Sequence, residues 1–82
     1  MIKKQVTEAQ RIFVFFKKNS RKLSARERDI VKSYYGFNGS FRHSLQDLGE
    51  TYQVTRERIR QIKYEALNKI GYHQSLWKRK IH

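Results

Sequence analysis

The sequence contains no cysteine and no proline. Without cysteine there is no disulfide framework, no thiolate zinc site and no cysteine nucleophile, a usage that fits a reducing cytoplasm. Without proline nothing breaks a helix from within, so continuous helices are favoured. Glycine is scarce, and all four, Gly36, Gly39, Gly49 and Gly71, fall where a helical pattern stops or turns. The longest apolar run, Ile12 to Phe16, is far short of the roughly 20 residues that span a bilayer, and no small-residue cleavage site follows it. Neither a membrane partner nor export is expected. Nothing in the chain has the spacing of a catalytic or metal site: His43, His73 and His82 stand apart, the carboxylates are scattered, and there is no glycine-rich phosphate loop. The expectation is a protein that is not an enzyme and needs no cofactor.

What remains is small and strongly basic. Eighty-two residues make one small domain, with 19 Lys and Arg against 7 Asp and Glu and a formal net charge of +12. A chain of this size buries only about 60% of its unfolded surface, too little for a large cleft enzyme. Its charge attracts polyanions, with nucleic acid first among them. The charge is not uniform: residues 1–22 carry seven basic and one acidic residue, residues 23–54 four of each, and residues 55–82 eight and two. A neutral middle between two basic ends reads as a scaffold flanked by polyanion-facing surfaces.

Apolar spacing predicts an all-α fold, a small bundle of about four helices. Val6, Ala9, Ile12, Phe13 and Phe16 recur at three- and four-residue intervals and draw a stripe along a helix from about Val6 to Lys18. Val14 and Phe15 fall off that stripe, either as leftovers or as a partner-binding or dimerising surface. Ser24 with Glu27 forms a capping box for a second helix ending at Gly36, and Leu23 before the cap is placed to staple onto the next turn. Phe37 to His43 reads as a loop, and Ser44 caps a short helix holding Leu45 and Leu48. A tight turn at Tyr52 to Val54 and a cap at Thr55 open a last helix running from Arg56 to Ile70 and ended by Gly71. Helix, short turn, helix is a helix-turn-helix. The expected core is Leu23, Ile30, Val31, Leu45, Leu48, Val54, Ile59, Ile62 and Ala66. The domain plan is a basic amphipathic helix in 1–22, the helix-turn-helix domain in 23–71 and a basic tail in 72–82 with Leu76 and Trp77.

At about 100° per residue, Ile59, Ile62, Ala66 and Ile70 gather in one sector of the last helix, which must face the core. The opposite face carries Glu57, Gln61, Tyr64 and Asn68, with Arg60 beside them and Arg56 and Arg58 on the flanks. Arg pairs two-pronged with guanine, Gln bonds adenine, Glu accepts from the cytosine amino group, and flanking arginines hold phosphates. Three arginines near a helix N-terminus oppose the helix dipole, a conflict that a bound phosphate removes. The expected DNA-binding set is therefore Thr55, Arg56, Glu57, Arg58, Arg60, Gln61 and Tyr64, and double-stranded DNA is the expected partner.

Val54 to Ile62, VTRERIRQI, resembles the recognition helix of region 4 in sigma-70 family factors of bacterial RNA polymerase. Upstream, LSARERDI from Leu23 resembles the opening of that region's first conserved helix, Tyr35-Gly36 its aromatic-glycine end, and SLQDLGETYQV from Ser44 the first helix and turn of its helix-turn-helix. The resemblance runs continuously from Leu23 to Ile70. It implies a domain that reads the minus-35 promoter element through Arg56, Glu57, Arg60 and Gln61. It also implies an apolar concave side that grips the flap-tip helix of the polymerase beta subunit, carried here by Val31, Tyr35, Phe37, Leu45 and Leu48. There are departures. The family usually has Arg where this chain has Tyr34, and the family's Glu-x-Lys-Ala-Leu-x-Lys-Leu stretch becomes Lys63 to Ile70 with acidic and basic positions exchanged, so any activator partner differs.

The resemblance implies a monomeric, cytoplasmic, nucleoid-associated bacterial protein. Starting at Met1, the chain is either a complete small gene product, of phage or mobile-element origin, or a piece of a full-length sigma factor. A rival within DNA binding is the LuxR-type regulator domain, which lacks the Thr-Arg-Glu-Arg run. From another class comes a stand-alone sigma-like interaction module that binds polymerase, a separate sigma-like subunit or a regulator without reading sequence. A basic RNA-binding peptide is supported by charge and aromatics alone.

Overall fold

The computed structural model describes residues 7–39 and 41–73. Val6, Leu76, Trp77, His82 and the basic segment from residue 74 onward lie outside them. Among the described residues there are four α-helices and no strand, as the apolar spacing predicts: α1 Glu8–Asn19, α2 Ala25–Tyr35, α3 Leu45–Tyr52 and α4 Arg56–Lys69. Two 3-10 turns, Ser20–Lys22 and Phe37–Gly39, join the first three.

Each helix starts where a short polar side chain replaces a missing backbone partner. The Ser24 hydroxyl accepts from Glu27 N while the Glu27 carboxylate accepts from Ser24 N, and Ser44 with Asp47 repeats this reciprocal cap on α3. Thr7 and Gln10 form a third such box, which opens α1 two residues later than the apolar stripe implies. Thr55 accepts from Arg58 N at 3.1 Å and opens α4. Such caps are worth about 1 kcal/mol each. The α2 helix ends on Gly36 at φ 72°, the left-handed position that glycine reaches without strain. The staple expected from Leu23 is absent, because the residue one turn on is Arg28. Its guanidinium instead donates to the Leu23 carbonyl at 2.8 Å, and the Leu23 side chain drops into the core.

The core divides into two clusters. Ile30, Leu48, Ile59 and Ile62 fill the angle between α2, α3 and α4, with Tyr34, Leu45, Tyr52 and Val54 at its rim. Ile12, Phe16, Leu23, Val31, Phe37, Ala66, Leu67 and Ile70 form the second, where α1 lies over α2 and the C-terminal half of α4. The packing therefore runs straight across the residue 22/23 boundary of the domain plan. Leu45 and Val54, expected in the core, are only half-buried because they sit at the edges of the α3–α4 corner. Phe37, expected in a loop, is buried: its ring lies 4.9 Å from Phe13, 5.3 Å from Phe16 and 5.5 Å from Tyr35. That burial turns the start of the loop into a 3-10 turn. Further along, His43 N donates to the Ser33 carbonyl at 2.9 Å and ties the remaining segment to α2.

The turn between α3 and α4 is held by close backbone approach. Val54 N donates to the Gly49 carbonyl at 2.9 Å, and a Cβ on Gly49 would meet the Val54 carbonyl oxygen at 2.7 Å. Only glycine allows the chain to fold back this tightly. Gln53 takes the left-handed position at the end of α3, φ 59°, without being glycine.

Candidate nucleic-acid interface

The first two turns of α4 project from the domain. Ile59 and Ile62 anchor them from below, while Thr55, Arg56, Glu57, Arg58, Arg60 and Gln61 are all exposed. Six of the seven residues in the DNA-binding set thus form one open surface at the N-terminal end of the helix. The seventh, Tyr64, is half-buried. Asn68, placed on the same face by its helical angle, is also half-buried, and its buried Oδ1 has no hydrogen-bond partner among the described residues.

The reason is a change of surroundings along the helix. Among the described residues the N-terminal half of α4 packs with α2 and α3, whereas its C-terminal half shares its cluster with α1. Leu67 shows this: its helical angle lies between those of Arg56 and Arg60, yet it is fully buried among Ile12, Phe16 and Val31. The open face therefore spans two turns and then closes.

Within that face two of the side chains expected to bind DNA hold each other. Arg60 Nε donates to Glu57 Oε1 at 3.0 Å and Arg60 Nη2 to Glu57 Oε2 at 2.6 Å, a two-pronged pair one turn apart in full solvent. The Arg60 hydrogen bond holds the Glu57 carboxyl below the usual carboxylate range, and Arg56 adds to it. Glu57 also sits in the first turn, where negative charge suits the helix dipole. Arg56 and Arg58 carry no ion pair among the described residues. Chemically the face offers two unpaired guanidiniums, one amide and one Glu–Arg fork, a set suited to phosphates and base edges.

A separate apolar groove of about 290 Å³ opens between α1 and the end of α2, lined by Ala9, Gln10, Phe13, Tyr35, Gly36 and Phe37. Of the five residues assigned to a flap partner, Tyr35 and Phe37 line it. Val31 and Leu48 are instead core residues, 0% and 3% exposed, so no partner reaches them without opening the fold. Leu45 is half-buried on α3 and is not among the groove residues. The α1 contributions, Ala9, Gln10 and Phe13, escaped the sequence reading, although Phe13 at the margin of the α1 stripe was the signal. Tyr34, the departure from the family pattern, packs at the rim of the core with Lys63 Nζ 4.5 Å above its ring. Among the described residues no helix is long and apolar enough to cross a membrane, and no three His, Cys, Asp or Glu gather as a metal site would need.

The family model for sigma-70 region 4 matches residues 21–70. RNA polymerase sigma factor SigA of Nostoc sp. is 46% identical over 50 residues, which cover 61% of this chain and 13% of that protein. RNA polymerase sigma factor SigA1 of Synechococcus elongatus is also 46% identical over 50 residues, 61% of this chain and 12% of its own length. RNA polymerase sigma factor SigA of Lactococcus lactis subsp. cremoris is 40% identical over the same span, 61% and 14%. The chain thus matches only about an eighth of the length of these curated relatives. No solved structure matches it.

Proposed function

Because the chain belongs to the sigma-70 region 4 family, the DNA-binding helix-turn-helix domain of transcription initiation factors, we propose that it reads the minus-35 promoter element and docks on the polymerase beta-flap. The observation that carries the DNA half is the open two-turn face of α4, with Arg56, Glu57, Arg58, Arg60 and Gln61 exposed together. Glu57 and Gln61 lie near the centre of that face and point to the floor of the major groove. Arg58 lies at its edge, where a strand backbone passes. The flap half is supported by the apolar groove between Phe13, Tyr35 and Phe37, which suits the apolar face of a short helix. The role is one of binding rather than catalysis, in the bacterial cytoplasm at the nucleoid.

One observation favours the second reading, a stand-alone sigma-like regulator that binds polymerase without reading sequence. Glu57 and Arg60 satisfy each other, so base reading must break or redirect their pair. Binding of Gln61→Ala and Arg58→Ala to cognate and scrambled duplexes, measured across salt concentrations, separates the two. Under the first reading Gln61→Ala loses about 1–3 kcal/mol on the cognate site and little on scrambled DNA. Arg58→Ala weakens both duplexes alike and lowers the salt slope by about one. Equal losses of Gln61→Ala on both duplexes favour the regulator. Titrating labelled protein with an isolated flap-tip peptide tests the other half, with shifts expected at Ala9 to Phe13 and Tyr35 to Phe37. A flat titration removes the polymerase contact.

A further inference from the structure

Arg11, Val14, Phe15 and Lys18 follow the spacing that puts side chains on one face of a helix, and that face of α1 points away from the core. Val14 is 54% and Phe15 37% exposed, and the only other large hydrophobic this open among the described residues is Phe41. The opposite side of α1 buries Ile12 and Phe16. We propose that this outer face is a docking site for a helical protein segment in which apolar residues are bordered by acidic ones.

The sign of the charge selects the occupant. Arg11 and Lys18 cap the two ends of the apolar pair, and exposed Arg21 and Lys22 follow on the next turn. None of the four enters an ion pair among the described residues. The nearest acid, Glu8, is at the N-terminal end of the face and accepts from the Tyr72 hydroxyl at 3.2 Å. Tyr72 sets its ring edge-on to Phe15 at 5.8 Å and bounds the patch on that side. A second copy of this chain, at +12, is repelled, and so are the chain's own basic ends around Lys3, Lys4, Lys78, Arg79 and Lys80. A phosphate backbone leaves Val14 and Phe15 with nothing to bury against. A lipid surface needs a broad apolar face, and α1 has spent most of its own on the core. An acidic segment with an apolar centre uses all four side chains.

The patch is distinct from the other surfaces. Val14 borders Gln10 at the rim of the apolar groove, whereas Phe15 is turned to the other flank of α1 from Phe13. Phe15 meets the chain at Gly71, past the end of α4, so about 20 Å of helix separates it from the reading end. A partner seated there leaves the DNA face open, and the inference does not depend on which reading of α4 holds.

The test is a titration of the isotope-labelled full chain with a synthetic amphipathic helix whose paired leucines are bordered by glutamates. Its counterpart with lysines replacing the glutamates, and vesicles of phosphatidylglycerol and phosphatidylcholine, are run beside it. Amide shifts centred on Arg11 to Lys18 are expected with the glutamate peptide alone. Val14→Asp and, independently, Lys18→Glu should each weaken it by about tenfold, with unchanged helicity and unchanged DNA binding. The proposal is overturned by a flat titration, by shifts centred on Phe13 and Phe37, by equal binding of the lysine peptide or of Val14→Asp, or by preference for vesicles. A self-association that Val14→Asp abolishes in sedimentation overturns it in favour of a second copy.

Discussion

Replacing Gly49 with alanine sets two effects of known sign against each other. Gly49 lies inside α3, where alanine is preferred over glycine by about 1 kcal/mol because it has less backbone freedom to lose. Propensity alone therefore makes Gly49→Ala stabilising. The new Cβ, however, meets the Val54 carbonyl oxygen at 2.7 Å, with Arg56 N and Thr55 C at 3.4 Å. These are backbone atoms at the start of α4, and they have no rotamer to escape into. Reaching ordinary contact moves the turn by several tenths of an ångström and strains the 2.9 Å bond from Val54 N to the Gly49 carbonyl. Overpacking costs about 1–3 kcal/mol, and a contact this short against fixed backbone belongs in the upper part of that range, about 2–3 kcal/mol, so the clash wins and the net loss is about 1–2 kcal/mol. For a domain of this size each kcal/mol lowers the melting temperature by about 4–8 °C. Thermal and urea unfolding followed by circular dichroism measures it. A melting temperature at or above that of the parent would show that the close approach at the corner does not constrain the fold, and the account of the turn would fail.

The neighbouring residue carries the opposite sign. Gln53→Gly relieves a left-handed non-glycine residue at φ 59° and should raise stability by about 1 kcal/mol in the same unfolding experiment. Leu67→Ala, at a fully buried position, should cost about 2–5 kcal/mol, whereas a solvent-facing residue at that helical angle would cost almost nothing. Glu27 is pushed up by burial, but Lys69 at 2.6 Å and the Ser24 cap outweigh this and leave its carboxyl below the ordinary value. Its contribution is therefore present above the unfolded carboxylate pKa and lost as pH falls through the lower folded one. Acid titration of stability should be shallower in Glu27→Gln below about pH 4.5 than in the parent.

The helical skeleton was readable because each boundary has a local cause. Ser24 and Glu27, Ser44, Thr55 and Gly36 act within one turn of chain, and the structure uses each of them at the expected place. What escaped was set by packing between distant segments. Nothing near Leu67 in sequence announces that α1 will cover it, since the residues that do so, Ile12 and Phe16, lie more than fifty positions away. Phe37 reads as a loop residue beside Asn and Gly, and only three aromatic rings from α1 and α2 make it core. The same cause explains the partner residues: Val31 and Leu48 belong to an apolar pattern that cannot distinguish a groove wall from the interior beneath it.

The covering of α4 by α1 determines more than stability. A recognition helix must project far enough to enter a groove and yet be held rigidly enough to keep its side chains in register with base edges. In α4 the two demands fall on different halves. Arg56 to Gln61 project over a narrow footing of Ile59 and Ile62, while Ala66, Leu67 and Ile70 are clamped between α1 and α2. Polar ties close the clamp, with Lys69 on Glu27 at 2.6 Å and the Asn19 amide donating to the Ile70 carbonyl at 3.1 Å. An α-helix is stiff over 14 residues, so fixing its last two turns fixes the direction of its first two. The basic N-terminal helix thus helps α2 and α3 to hold the direction of the open face although none of its residues belongs to it. If that face reads DNA as proposed, loosening α1 should degrade discrimination between duplexes before it unfolds the helix-turn-helix.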